Sequence, residues 1–192
     1  MLGKAAIAMW WDVAPEVRPE WEEWHTVEHF PERLSIPGFL RGSRWISGES
    51  SYFVLYEAAE LATITSGPYL ERLNNPTPWS RKMMPHHRNM VRALCLVRAS
   101  YGEGLPGAMA TVRFASGHAD LPGGKGITSA HLLEAQPMPG ITEEQKIRGG
   151  DATADRVLLV GGYDAAAIER AVPQLAGATR GLYRFSYSLS RS

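Results

Sequence analysis

Residues 52–66 read YFVLYEAAELATITS, and residues 157–171 read VLLVGGYDAAAIERA. Each is an apolar run of strand composition that enters a helix through an acidic residue, and the two occupy corresponding places in the halves of a 192-residue chain. Such self-similarity marks a duplicated structural unit.

Outward from the first of these stretches, the amino-terminal half reads as six elements. Lys4 to Asp12 is a short apolar strand ending in Trp10-Trp11, followed by the breaker stretch Val13 to Pro19. A helix starts at Pro19, where a missing N–H costs nothing, and Glu20, Glu22 and Glu23 sit favourably at the positive end of its dipole. Its apolar stripe is Trp21, Trp24, Val27, Pro31 and Leu34, and it stops before Pro37-Gly38. Strands Phe39 to Ser47 and Tyr52 to Glu57 follow, joined by a hairpin turn through Gly48 and Ser51. Helical stretches from Glu60 to Leu73, weakened by Gly67-Pro68, and from Trp79 to Arg88 lead to a buried strand, Met90 to Val97. The order is β-α-β-β-α-β.

Ser100 to Gly107 reads as a linker. Beyond it come strands Met109 to Ala115, Ser129 to Gln136 and Arg156 to Tyr163, a helix Asp164 to Ala176, and a strand Thr179 to Leu189. His118 to Thr128 is too short and too broken by glycine for a long helix. The expectation is an α+β protein of tandem ferredoxin-like repeats, 1–100 and 107–192, the second with a reduced first helix. Antiparallel sheets of this kind carry helices on one face, so the two open faces should meet in a barrel-like arrangement around a small-molecule cavity. A homodimer is compatible with this architecture.

Composition narrows the function. Twenty basic and twenty acidic residues balance to zero, which disfavours a nucleic-acid partner. Cys95 stands alone, mid-strand between Leu94 and Leu96, so it reads as core, no intramolecular disulfide forms, and a reducing, cytoplasmic setting is expected. The apolar run after Lys4 ends at Asp12, too short for a signal core or a membrane span. Six Trp and seven Met suit an apolar pocket, and cores use them too. Gly102 to Gly107 spells G-x-G-x-x-G, but a strand follows instead of a helix, so no phosphate site is built there.

Titratable residues concentrate in HTVEHFPER, residues 25–33. His25 and His29 share a helix face at a spacing that suits metal ligation, and H-x-x-E-H matches an inverted zinc-protease string. Pro31 bends the same helix two residues later and no downstream helical Glu ligand completes the motif, so no metal site is expected. Glu28 falls between Trp21 and Trp24 on the helical wheel, half buried, with a raised pKa unless an arginine pairs with it. In the strands, alternation separates Arg41 and Trp45 from Leu40, Arg44 and Ile46, and Tyr52 and Tyr56 from Phe53, Leu55 and Glu57. Helix packing wants the all-apolar members, which makes Arg41, Trp45, Tyr52 and Tyr56 the better candidates for the cavity, where an arginine suits a carboxylate or enolate, while alternation alone leaves the face open. His86-His87 lie in a loop before the last strand of this half.

A strand ending in aromatics, a helix carrying E-H-F-P, then P-G-F-L-R-G-x-R-W and Y-F-V-L-Y-E, together resemble the dimeric α+β barrel superfamily, closest to its EthD-like branch, over residues 4–98. The resemblance implies a barrel lined by the sheet face away from the helices, with small apolar or aromatic molecules bound inside. It also places His29, two residues before Pro31, at the barrel mouth. Members include cofactor-free monooxygenases, cyclases, isomerases, haem enzymes and proteins with no established activity. The resulting expectation is a cofactor-independent oxygenase or isomerase/cyclase acting on an aromatic or polyketide-like compound, with no cofactor and no metal. His29, Glu28 and Arg41 would be catalytic, with His29 as general base or acid and Arg41 or Tyr56 steadying an oxyanion. Trp10, His25, Trp45, Tyr52, Tyr56 and His86 would bind substrate. A non-catalytic ligand-binding or structural barrel is one alternative, and a haem enzyme with His29, His86 or His87 as axial ligand is another.

Overall fold

The computed structural model describes residues 1–138 and 140–191. Its first strand, β1 (Ala5–Asp12), is buried along nearly its whole length, because its two faces serve two different cores. Ala5, Ile7, Met9 and Trp11 pack under helices, while Ala6, Ala8 and Trp10 pack on the opposite side. Seven further strands follow: β2 (Phe39–Ser47), β3 (Ser51–Ala58), β4 (Arg88–Tyr101), β5 (Ala108–Phe114), β6 (Ile127–Gln136), β7 (Arg156–Gly162) and β8 (Thr179–Ser190).

All pairings between these strands are antiparallel. They close into one barrel in the order β1-β3-β2-β8-β5-β7-β6-β4. Within the first four strands the order is β4-β1-β3-β2, and within the last four it is β8-β5-β7-β6, the same order position for position. One chain therefore closes the barrel by itself, with seams at β2–β8 and β4–β6.

The interior is filled. Trp10 stacks on Phe53 at 5.2 Å and Trp45 on Phe53 at 5.5 Å. Leu55, Cys95, Met109, Leu133, Val157 and Leu159 occupy the remaining space. The cavity expected inside the barrel is thus replaced by a packed aromatic and aliphatic core, as small barrels generally require.

Register corrects the assignment of faces. Arg41 sits opposite Glu57 and Trp45 opposite Phe53, whereas Gly42 sits opposite Tyr56 and Ile46 opposite Tyr52. Directly opposed residues share a face. Arg41 and Trp45 therefore point into the barrel, and Tyr52 and Tyr56 point outward beneath the helices. Gly42 lies on this helix side, where a Cβ would come within 2.5 Å of the Phe30 ring and 2.9 Å of the Tyr56 ring. Gly42→Ala is expected to cost about 1–3 kcal/mol in urea denaturation through overpacking.

The first helical segment runs as α1 (Arg18–Trp24), a π-helical turn His25–His29, and α2 (Phe30–Leu34). Pro31 has no N–H to give, and the bend expected from it takes the form of this π-turn, in which the Phe30 N–H bonds the His25 carbonyl five residues back. The stretch 60–73 is not one helix. It divides into a 3-10 turn, Thr63–Thr65, and α3 (Gly67–Asn74), because Ser66 caps a new start by accepting from the Tyr69 N–H and Pro68 occupies the first turn. The helix expected over 79–88 is shorter: α4 (Pro78–Met83) passes into a 3-10 turn, Met84–His86, at Pro85.

In the second half no helix forms between β5 and β6 among the described residues. After β7, α6 (Ala165–Ala171) is capped by Asp164 and ends before Pro173, shorter than expected. The sequence reading omitted α5 (Glu143–Arg148), although Thr142 and Gln145 form a capping box and Gly149 closes the helix at φ 84°. This helix belongs to the β6–β7 connection, yet it packs against α3 and the Met84–His86 turn. Among the described residues, no helix is long and apolar enough to cross a membrane.

Candidate active site

The helix layer and the outer face of β1, β3 and β4 enclose a cavity of about 20 Å³, room for one water-sized molecule. Its wall includes His25, His29, His87, Tyr56, Tyr69, Arg33, Arg92, Glu144 and Arg148, with Met9, Met84 and Met90. Larger depressions of about 400 Å³ beside Arg113 and about 470 Å³ beside α6 lie elsewhere. Neither gathers buried histidines, so the smaller cavity is the candidate site.

The three histidines are held differently. His25 stacks on Trp21 at 4.8 Å and on His29 at 5.3 Å, an alignment set by the π-turn. Arg44 donates to His25 Nδ1 at 3.4 Å, and a guanidinium only donates, so the His25 proton resides on Nε2. Trp21 Nε1 donates to His87 Nε2 at 2.7 Å, which places the His87 proton on Nδ1. That Nδ1–H has no partner among the described residues. His29 Nδ1 lies 3.8 Å from Glu32 Oε2, close but short of a hydrogen bond.

Burial is the main force that pushes all three imidazoles well below their ordinary pKa, aided by the nearby cations Arg44 for His25, Arg33 for His29 and Arg148 for His87. They are neutral at physiological pH. Burial likewise raises the Glu32 carboxyl against the opposing pull of Arg33, and raises the Tyr56 phenol, whose hydroxyl has no partner among the described residues.

Two of the three cavity arginines, Arg33 and Arg148, are held by carboxylates, and the third, Arg92, is not. Arg33 binds Glu144 of α5 and stands 3.5 Å from Glu32. Arg148 grips Asp151 through Nε at 3.1 Å and Nη2 at 2.7 Å. Arg92 donates to the Tyr69 hydroxyl at 2.8 Å and to Met138 Sδ at 3.1 Å.

The structure brings His25, His29 and Tyr56 to this cavity. The other expected residues lie outside it. Glu28 is half-buried and accepts from Trp24 Nε1 at 3.1 Å and Thr77 Oγ1 at 2.6 Å, anchoring α1 to the start of α4. Arg41 is bound to Glu57 at 2.6 Å and to the Glu103 carbonyl at 2.9 Å on the barrel side. Trp10 donates to Thr111 Oγ1 within the barrel, and Trp45 packs there beside Phe53. Tyr52 donates to Glu22 and packs on Trp21 at 4.6 Å. His86 is half-buried in the 3-10 turn, and its neighbour His87 takes the place at the cavity.

The residues not assigned to the site in advance are Glu32, Arg33, Arg92, Glu144 and Arg148, and His87 entered only as an alternative haem ligand. One of them carried a legible signal: Arg92 interrupts the apolar run MVRALCLV, where a charge in a buried strand demands a polar partner. Among the described residues, no group of three or more His, Cys, Asp or Glu is placed to hold a metal ion.

No protein-family model matches the sequence, and no curated protein matches it. Solved structures do share the fold. An anthrone oxidase-like protein superposes with a TM-score of 0.59 over 97% of this chain and 92% of its own, at 11% identity. A provisionally assigned monooxygenase from Fusobacterium nucleatum superposes with a TM-score of 0.55 over 100% of this chain and 96% of its own, at 9% identity. At such identities the likeness is one of fold.

Proposed function

We propose that the chain is a small-molecule oxygenase-type enzyme that works by cofactor-independent proton abstraction at the cavity of His29. The observation that carries this reading is the convergence of neutral imidazoles and unpartnered buried polar atoms, His29 Nδ1, His87 Nδ1 and Tyr56 Oη among them, on one small space. Buried polar groups without partners are costly in a purely structural role, and they cluster where a ligand completes them. The two halves, 1–100 and 107–192, are read as ferredoxin-like copies, a reading supported by their common strand order. The EthD-like affinity rests on the E-H-F-P and P-G-F-L-R-G-x-R-W segment alone.

Neutral His29 is already in the form that accepts a proton, and Glu32, 3.8 Å from Nδ1, stabilises the imidazolium that forms. A depressed pKa makes a weaker base, so the substrate C–H must itself be acidic, as in a methylene between two aryl rings that are both conjugated to one ketone. The fold likeness to an anthrone oxidase-like protein supports substrates of that kind. Proton loss to His29 gives an enolate whose oxygen accepts from Tyr56. The enolate carbon then bonds dioxygen, and the returned proton makes a hydroperoxide. Loss of the second C–H proton with O–O cleavage yields the ketone and water, so one methylene and one dioxygen give one carbonyl and one water. The cavity as it stands admits dioxygen or water. Entry of an aromatic substrate requires the flexible walls Met9, Met84 and Met90 to yield.

The test is oxygen uptake with anthrone as the probe. One dioxygen should be consumed per anthraquinone formed, and His29→Ala should lower turnover about 10²-fold in protein that is still folded by circular dichroism, the truncation of this buried ring costing about 1–3 kcal/mol. Uptake no faster than without protein, or an undiminished His29→Ala variant, would rule the reading out.

A further inference from the structure

Hydrogen-bond bookkeeping around the cavity is lopsided. The Trp11 indole N–H and the His87 Nδ1–H are unpartnered and can only donate, and the Tyr56 hydroxyl is free to donate. The charges are lopsided as well. Glu144 and Glu32 flank Arg33, and Asp151 holds Arg148, but Arg92 is 3% exposed and has no carboxylate within 4 Å among the described residues. Its present partners are a phenol oxygen and a thioether sulfur, neither of which neutralises it. A buried guanidinium is expensive without a counter-ion, and this one stands in the wall beside spare donors.

We infer that the substrate carries a carboxylate and that Arg92 is its charge partner, with His87 Nδ1–H and Tyr56 O–H as further donors. This rests on the reading above in taking the cavity as the substrate site, and it adds to that reading a permanent anion. Arg92 lacks its counter-ion in the resting protein, so the compensating charge has to arrive with the ligand and cannot be an enolate formed only during reaction. The planar fork of arginine matches the two oxygens of a carboxylate, and the weak thioether contact is the one such an oxygen would displace.

The experiment is calorimetric titration of the full chain at pH 7.5 with benzoate and with neutral benzamide. Charge-assisted hydrogen bonds predict that benzoate binds at least about tenfold tighter than benzamide. Arg92→Met should bring that ratio to within about twofold, and Arg92→Lys should keep part of it, since the charge survives without the fork. A wild-type ratio near one, a preference for benzamide, or binding of neither compound at millimolar concentration overturns the inference, whatever the variants do. The two readings fail separately. Benzoate preference without oxygen uptake from either anthrone or an anthrone carboxylic acid removes the oxygenase and leaves the anion site. Uptake from neutral anthrone without benzoate preference does the reverse.

Discussion

At pH 5.5 the protein is expected to be about 4 kcal/mol less stable toward urea than at pH 7.5. His25, His29 and His87 are held neutral in the folded state, with pKa values well below 6.5. In the unfolded chain they titrate near the ordinary value, so below about pH 6.5 the unfolded state binds protons that the folded state refuses. Stability is therefore complete above that pH and is lost as pH falls. One unit below it, each imidazole that stays neutral in the fold contributes a loss on the order of 1 kcal/mol, and three together give about 4 kcal/mol. His131, pushed down to about 3 chiefly by burial, acts in the same direction. Glu32, raised chiefly by burial, acts against it for a single proton. Urea titrations at the two pH values measure the difference directly. A midpoint that does not move, or that rises on acidification, would show that these rings are charged or solvated in the folded protein.

Arg33→Met is expected to destabilise the fold by about 3–5 kcal/mol, the usual cost of stranding a buried charge. Arg33 and Glu144 are both 3% exposed, and Glu32 adds a second carboxylate against the same guanidinium. Burial alone would weaken the Arg33 cation, but the two acids more than offset it and hold its pKa above the ordinary value. Arg33→Met with Glu144→Leu should recover half or more of the loss, because the principal charge pair is then removed together. Glu144 lies on α5, so the single variant should also speed amide exchange across 143–148 relative to the barrel strands. A loss below about 1 kcal/mol would mean that the pair is screened by solvent.

Elements whose causes are local were legible in advance. The eight strands, the break at Pro31, the hairpin through Gly48 and the missing helix between β5 and β6 follow from periodicity, proline geometry and glycine placement, all carried by neighbouring residues. The placing of His25 and His29 on one helix face was legible for the same reason. Glu28 shows the limit of such reasoning. Its half-buried position follows from the helical wheel, but its partners Trp24 and Thr77 depend on where α4 lands.

Four outcomes were set by tertiary structure. Cross-strand register put Arg41 and Trp45 in the barrel and Tyr56 under the helices, and register is a non-local quantity in which a slip of one residue reverses every face. Closure of eight strands filled the interior and moved the cavity to the space between sheet and helices. The Trp21–His87 bond chose His87 over His86 within one dipeptide. The β6–β7 connection carried Glu144 and Arg148 across the molecule to Arg33 and His87, residues more than fifty positions away in the chain. Local composition determined which residues form strands and helices, since each such choice depends on a few adjacent side chains. Which of those residues face one another depended on pairing between distant segments, whose energy no single segment contains.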